Sequence, residues 1–306
     1  MKLNTLILSL FVAFTFLGCR SYSQDDYQEF YVVESFLVVD TPLPKLYLST
    51  TKESTQLYNF EELVVVDATV KLEILVDDVN SAVDSTITYS FNGIDAYEAD
   101  FQHNVMSAKN YKLTITIPNE TQPIIGYTKI PASFTNTNPV PASLEYQSEE
   151  QIEIKIPASQ SSERQNYFIF STIFRGDPIV ENLTPVFREL FEEFDDEDSD
   201  INEFVKSNSG IVSEGNFDIG TDGTLTLRFP WIGISFFGEN TIVTNIIDEN
   251  MYDFIRSQEV QLGGGSISPG EIPNAIYNLD GAIGVFGSMA TDTLNINITR
   301  RPEDIN

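Results

Sequence analysis

The chain has 306 residues, and its 46 acidic and 17 basic side chains give a formal net charge of −29 at pH 7. A surface this acidic repels the phosphates of nucleic acids and of anionic lipids, which argues against both as partners. Hydrophobic residues make up 42% of the chain and include 22 Phe and 13 Tyr, enough to build packed cores, so the composition excludes a disordered protein.

The N-terminus begins with a short cationic start and an apolar run. Lys2 precedes the run, which covers residues 6–17. A helix of this length would rise about 18 Å, well short of the ~30 Å hydrocarbon core of a bilayer. The pattern therefore predicts a signal peptide over residues 1–18 rather than a transmembrane helix.

A cysteine follows this run directly. Phe16, Leu17, Gly18 and Cys19 resemble a lipobox, in which a small residue precedes a cysteine that becomes thioether-linked to diacylglycerol. Cys19 is the only cysteine, so no disulfide framework can form. Residues 19–29 are polar and predict a flexible tether. We therefore predict a lipid anchor on Cys19 that attaches the protein to a membrane.

The location of the anchored protein is suggested by an acidic pair in the tether. Asp25 and Asp26 resemble the short acidic signals that send Bacteroidota lipoproteins to the cell surface. The resemblance implies an outer-membrane protein exposed at the cell surface. A position facing the periplasm stays open as the alternative.

Strand patterns dominate the rest of the chain. Apolar and polar residues alternate in five segments: residues 70–76, 111–117, 152–156, 225–229 and 294–298. This period predicts strands with one buried and one solvated face, as in antiparallel sheets. Residues 167–174 are more continuously apolar, which predicts a central strand. Asn92-Gly93 and Asp222-Gly223 stand beside strand patterns and predict tight hairpin turns.

A segment rich in Pro, Ser, Thr and Asn divides the chain. Residues 131–141 have no strand pattern and predict a linker. We assign residues 30–130 to an N-terminal, Ig-like β-sandwich and residues 142–306 to a second β domain. The predicted fold class is all-β and mostly antiparallel, with two short helices in the second domain.

The two predicted helices both begin at recognisable capping residues. Thr184 is a candidate N-cap and Pro185 occupies the first helical position, ahead of an apolar stripe. Asp248 is a candidate N-cap for the second helix, with Met251 and Tyr252 facing inward. Both helices are too short for a coiled coil and are interpreted as packing elements between strands.

Few residues are available for catalysis. His103 is the only histidine, which removes His-rich zinc sites and nearly all Ser-His-Asp arrangements, and no motif surrounds it. Trp231 could stack on a sugar, but a tryptophan on an apolar strand is more often a core residue. Residues 263–265 are three glycines without the lysine of a phosphate loop. No catalytic residues and no cofactor are predicted.

An acidic run after the first helix is the one candidate metal site. Asp196, Asp198 and Asp200 have the alternate spacing that begins a calcium loop. Ile201 stands where the turn glycine belongs and Ser207 where the closing glutamate belongs. A solvated loop is therefore the preferred interpretation, with calcium as the alternative.

Several segments resemble a Bacteroidota lipoprotein family known as domain of unknown function 4249. The segments are residues 31–40, 46–49, 67–72, 248–258 and 276–287. The resemblance implies an outer-membrane accessory lipoprotein encoded beside a TonB-dependent transporter, where it would capture a nutrient or cover the transporter. It supplies no catalytic residues.

The sequence is compatible with three functions. The leading hypothesis is a non-enzymatic binding or accessory module that works with a TonB-dependent transporter and an unidentified ligand. The second is a surface adhesin or matrix protein, which the same architecture would serve. The third is a carbohydrate-active enzyme, because glycoside hydrolysis requires only two carboxyl groups about 5–10 Å apart and the chain has 46 acidic residues.

Overall fold

The computed structural model describes residues 27–157, 165–193, 200–261 and 275–301. Most of the regular structure in these residues is strand, and the sheets are largely antiparallel, so the predicted all-β class is confirmed. Several sequence predictions lie outside the described residues: the signal peptide, Cys19, Asp196, Asp198 and residues 263–265. In the described residues, none of the helices has the length and apolarity needed to cross a bilayer.

The first part of the chain forms seven strands and one helical turn. They are β1 (Tyr31–Val38), β2 (Tyr47–Thr50), α1 (Phe60–Leu63), β3 (Thr69–Leu75), β4 (Val83–Phe91), β5 (Tyr97–Ala99), β6 (Asn110–Thr116) and β7 (Ile124–Lys129). The alternation predicted for residues 70–76 and 111–117 falls in β3 and β6, whose apolar residues point into the core.

The second part contains ten strands and two longer helices. They are β8 (Ser143–Glu145), β9 (Glu153–Ile156), β10 (Tyr167–Phe174), α2 (Pro185–Glu193), β11 (Lys206–Asn208), β12 (Val212–Ser213), β13 (Asp218–Ile219), β14 (Leu225–Arg228), β15 (Gly238–Ile247), α3 (Glu249–Gln261), β16 (Leu279–Asp280) and β17 (Ile283–Thr299). Four 3-10 turns accompany them: Val180–Asn182, Ile201–Val205, Glu214–Asn216 and Trp231–Gly233.

Three sheets build two sandwiches. The first sandwich packs a six-stranded sheet, in the order β16-β7-β6-β3-β4-β5, against β1, β2 and the beginning of β17. The second packs the three-stranded sheet β13-β14-β9 against β8, β10, β15 and the end of β17. A smaller apolar cluster joins α2 to Phe174 and Phe236.

The long strand β17 belongs to both sandwiches. It pairs in parallel with β1 from Ile283 to Met289, and antiparallel with β15 from Met289 to Ile298. The predicted division assigns all of residues 142–306 to the second domain, yet Leu279 and Phe286 are buried in the first core. One eight-stranded sheet therefore runs through both sandwiches.

The predicted linker also contacts both halves. Phe134 packs against both hydrophobic cores. The backbone N–H of Asn136 donates to Asp292 Oδ2 at 2.8 Å, and that of Thr137 donates to the carbonyl of Lys155 at 2.8 Å. Residues 131–141 thus lack regular strand pairing, as predicted, but they pack between the sandwiches.

Two glycines allow β17 to approach its neighbours closely. Gly284 has φ +107°, and a Cβ there would collide with the carbonyl oxygen of Val33 on β1. A Cβ on Gly287 would collide with Met251 of α3. Gly284 thus permits close pairing with β1 within the sheet, and Gly287 permits α3 to approach the face of the sheet.

The predicted hairpins and helices form at the expected places, although five residues rather than two separate the strands of each hairpin. Gly93 and Gly223 both have φ +83°, the left-handed conformation that these hairpins require. Asp248 Oδ1 accepts from the N–H of Met251 at 3.0 Å, which caps α3 as predicted. Thr184 precedes α2, but its hydroxyl donates to the carbonyl of Ile234 at 2.9 Å, which ties the helix start to the chain before β15.

Candidate functional site

The outward face of the second half of the eight-stranded sheet carries the candidate site. Residues paired across strands point to the same face. On this face Ile173 stands between Lys206 of β11 and Thr241 of β15, and Ser171 stands beside Val243. The opposite face of β10 carries Phe168 and Phe170, which are buried in the second core.

These side chains form a shallow groove of about 280 Å³. Its lining is Ile169, Ser171, Ile173, Lys206, Val243, Asn245, Ile247, Met251 and Met289. Six of these nine residues are apolar, whereas a solvated sheet face normally carries polar residues. The groove therefore offers an apolar floor that water covers poorly.

Helix α3 closes one end of the groove. Met251 lies over β17 at Gly287 and also lines the groove. The ring of Tyr252 stacks on Tyr167 of β10 with centroids 3.8 Å apart. The helix therefore clamps onto the sheet where β17 passes from one sandwich to the other.

Polar side chains beside the floor bond one another. The Ser171 hydroxyl and Asn208 Oδ1 are 2.7 Å apart, and Thr291 Oγ1 and Asn245 Oδ1 are 2.8 Å apart. Asn245 Nδ2 also donates to the carbonyl of Ile169 at 3.1 Å. These bonds satisfy the buried Ser171 hydroxyl and hold Ser171 and Asn245 of the floor in position.

Lys206 is the one charged residue in the groove lining. Among the described residues, no carboxylate lies within 4 Å of its ammonium, whereas Lys45, Lys112 and Lys155 each have such a partner. An unpaired cation beside apolar surface attracts an anionic group of a ligand. Lys71, Lys109 and Lys129 also have no described carboxylate within 4 Å, so the distinguishing feature of Lys206 is its position beside the apolar residues of the groove.

A buried polar network holds α3 in place. Thr128 of β7 and Asp248 Oδ2 are 2.5 Å apart, and the N–H of Asp248 donates to the carbonyl of Ser288 at 2.9 Å. Burial raises the pKa of the Asp248 carboxyl, while the hydrogen bonds from Thr128 and from the Met251 N–H act in the opposite direction. The network joins the six-stranded sheet, α3 and β17 at one point.

Two asparagines extend this network. Asn250 Nδ2 donates to the carbonyl of Tyr127 at 2.7 Å. Asn278 Nδ2 donates to the carbonyl of Phe286 at 2.7 Å, and Asn278 Oδ1 accepts from the Phe286 N–H at 3.0 Å. These amides connect β7 to β17 across the first sandwich and thereby fix the wall of the groove.

The residues singled out by the sequence lie elsewhere. His103 is in the first sandwich, where its carbonyl accepts from the N–H of Leu43 at 3.0 Å. Trp231 packs against the second core, with its ring 5.5 Å from that of Tyr146, so the core interpretation is the correct one. Asp200 accepts from the N–H of Asn202 at 2.9 Å and caps a 3-10 turn. The described residues contain no group of three metal-ligating side chains.

Sequence reasoning missed the groove and Lys206. The available signal was the apolar run of residues 167–174, which is typical of a strand covered on both faces. In the structure, the face with Ile169 and Ile173 is only half-buried. A strand that is apolar on both sides can thus indicate a binding face as well as a central position.

The sequence of residues 21–295 matches the family described as a domain of unknown function, DUF4249. The chain belongs to this family. The match covers nearly all the described residues, including both sandwiches and the groove, so the groove lies within the family domain. The family description carries no activity.

Solved structures resemble the chain only remotely. Escherichia coli alpha-2-macroglobulin activated by porcine elastase has 10% identity and a TM-score of 0.23 over 89% of this chain and 23% of that one. Three N-terminal domains of the bacteriophage RB49 outer capsid protein Hoc have 10% identity and a TM-score of 0.21 over 86% and 70%. The chain spans less than a quarter of the macroglobulin chains it matches. No curated protein matches the sequence.

Proposed function

We propose that this protein is a non-enzymatic accessory lipoprotein that works beside a TonB-dependent transporter. Cys19 would carry the lipid anchor, in the outer membrane and with the β domains at the cell surface. Its groove would capture a small nutrient with an apolar body and an anionic head. The observation that supports capture is the apolar floor with Lys206 at its edge.

The chemistry of the groove favours this ligand class. Covering apolar surface contributes about 25 cal/mol per Å², so an apolar chain on the half-buried Ile169, Ile173 and Val243 would supply most of the affinity. The ammonium of Lys206 would pair with a carboxylate or phosphate and select the orientation. The volume of about 280 Å³ suits a chain of a few carbons more than a polymer.

The residue inventory supports binding rather than hydrolysis. The single histidine of the chain lies in the first sandwich. The groove lining consists of apolar, amide, hydroxyl and ammonium side chains. Such groups can hold a ligand, whereas the paired carboxyl groups of a glycoside hydrolase belong to a different type of site.

The accessory role is tested by purification of the tagged, lipidated protein from mildly solubilised outer membranes. We expect a TonB-dependent transporter to co-purify in stoichiometric amount, and the Cys19→Ala variant, which lacks the anchor, to lose it. Recovery of the lipidated protein alone would contradict the accessory role and favour an independent adhesin.

A further inference from the structure

The tether enters the first sandwich at one end, which we call the tether end. The surface of this end is unusually apolar. The described chain begins at Tyr27, and Tyr31 at the start of β1 pairs with Thr50 at the end of β2. The Tyr31 hydroxyl donates to Glu120 Oε1 at 2.9 Å, which places the β6–β7 loop at the same end. The tether end therefore comprises the entering chain and the loops that follow β2 and β6.

Large apolar side chains project into solvent here. The loop after β2 carries Leu57, which is 89% exposed, and Tyr58, which is 67% exposed. Leu57 is the most exposed large hydrophobic residue in the described part of the chain. The entering chain adds Tyr27 and Phe30, both of which are also exposed. Exposed large apolar side chains at one end of the molecule are typical of an interaction surface.

Local hydrogen bonds hold the entering chain against this loop. The N–H of Thr51 donates to the carbonyl of Phe30 at 2.8 Å, and Thr51 Oγ1 accepts from the N–H of Phe30 at 3.0 Å. The Tyr27 hydroxyl lies 2.8 Å from the same Thr51 oxygen. These bonds fix Tyr27 and Phe30 at the start of the loop that carries Leu57 and Tyr58.

We propose that the tether end rests on the surface of a bilayer, with Leu57 and Tyr58 inserted among the lipid headgroups. The inference rests on the proposed lipid anchor at Cys19. Eight residues lead from Cys19 to Tyr27, and a chain of that length spans at most about 28 Å. The anchor would therefore keep this end, rather than the far end of the molecule, beside the membrane. Tyrosine suits the headgroup region because its ring is apolar and its hydroxyl is polar.

The negative charge of the tether end favours zwitterionic over anionic lipids. Glu53, Glu61 and Asp67 are exposed in the segment between β2 and β3, and Lys52 is paired with Glu62 at 3.4 Å. These carboxylates repel anionic lipids and accept the ammonium groups of phosphatidylethanolamine. The surface therefore matches a zwitterionic bilayer.

The shared strand sets the height of the groove above that bilayer. Ile283 of β17 lies beside Val32 near the tether end, and Met289 is the first groove residue along the strand. Six residues of strand span about 20 Å. The membrane contact would hold the groove at that distance from the lipid, open to solvent.

A fluorescent label on an introduced cysteine tests the contact. Cys19 is acylated in the lipidated protein, so Leu57→Cys supplies the single free thiol. In vesicles of phosphatidylethanolamine and phosphatidylcholine, we expect the label to lose most of its quenching by acrylamide, a neutral quencher in the water, and to be quenched by spin-labelled lipid. Ile232→Cys, 65% exposed in the second sandwich, is the matched control and should stay accessible to acrylamide.

These measurements distinguish a failure of the membrane contact from a failure of the lipid anchor. Acrylamide quenching of the Leu57→Cys label as strong as that of the control, in lipidated protein bound to vesicles, would overturn the membrane contact alone. Protection in native membranes but not in protein-free vesicles would also overturn it, because a protein would then cover the surface. Protein recovered with a free Cys19 thiol would overturn the anchor and the inference together.

Lipid composition provides a second measurement on the same label. Replacing half of the lipid with phosphatidylglycerol should restore much of the acrylamide quenching at low salt, and added salt should reverse this because it screens the repulsion. Unchanged quenching in the anionic vesicles would contradict the assignment of a zwitterionic surface.

Discussion

Lys206 has neighbours that determine what it can bind. Ile173 stands beside it across the β10–β11 pair, and no described carboxylate lies within 4 Å. An exposed ammonium contributes little by itself, about 0.2–1 kcal/mol in an ion pair. The apolar floor must therefore supply most of the affinity, and Lys206 discriminates between ligands of opposite charge.

Lys206 should make the groove prefer an anionic ligand over a cationic ligand with the same apolar chain. We expect octanoate to bind more tightly than octylammonium, and Lys206→Gln to weaken octanoate binding by up to about fivefold, since an exposed ion pair contributes up to about 1 kcal/mol. Isothermal titration calorimetry measures both. Lys71→Gln, an exposed lysine on the six-stranded sheet, makes the same change in net charge and should leave the affinity unchanged. Equal weakening by both substitutions would contradict a contact at Lys206.

Asp248 links the stability of the fold to pH. Because burial raises its pKa above the ordinary value of 3.8, the folded protein binds the proton more tightly than the unfolded chain. Its contribution to stability is therefore full below the ordinary pKa and is lost as pH rises through the raised value. Asp248→Asn should remove this loss, since an amide stays neutral and its oxygen can still accept from the Met251 N–H.

The measurement is the free energy of unfolding in urea at a series of pH values. The stability of Asp248→Asn relative to the unsubstituted protein should increase from pH 4 to pH 7. Asp84→Asn, an exposed carboxylate replaced in the same way, controls for the change in net charge. A pH-independent difference for Asp248→Asn would show that hydrogen bonding cancels the effect of burial on this pKa, and a decrease with rising pH would show that hydrogen bonding outweighs it.

At the scale of the element, β17 depends on one glycine to pair with β1. Gly284→Ala would meet the Val33 carbonyl and would also hold alanine at positive φ. We expect a loss of about 3 kcal/mol or more, from about 1–2 kcal/mol of backbone strain together with the clash. Gly93→Ala is the matched control, because its φ is +83° but its Cβ would meet open space. Equal losses in urea unfolding would mean that the close approach contributes nothing.

The strands and helices were predictable wherever the signal is local. Alternation located β3 and β6, Asn92-Gly93 located a hairpin, and Asp248 located the start of α3. Each of these signals depends on residues within one turn or one strand of each other. Sequence reasoning did not predict that β17 serves both cores, because alternation reports which face of a strand is buried but not which strand lies beside it.

At the scale of the whole molecule, the shared sheet should couple the two sandwiches. Leu72 is buried in the first core, and Leu72→Ala should cost about 2–5 kcal/mol. Trp231, the only tryptophan, packs against the second core, so its fluorescence reports the second sandwich. We expect the urea midpoint seen by Trp231 to fall together with that seen by far-UV circular dichroism. An unmoved Trp231 transition would show that the sandwiches unfold independently.

The sequence by itself determined the elements of this protein: its strands, hairpins and helix caps, and its membership of the family. These follow from the periodicity of side chains and from turn chemistry, which act over a few residues. Only the tertiary structure decided that Val32 pairs with Ile283, that one strand serves both cores, and that Lys206 stands beside an apolar floor. The physical reason is that strand pairing brings together residues far apart in the chain. The same alternation is compatible with many pairings, and the choice among them depends on how both cores pack at once.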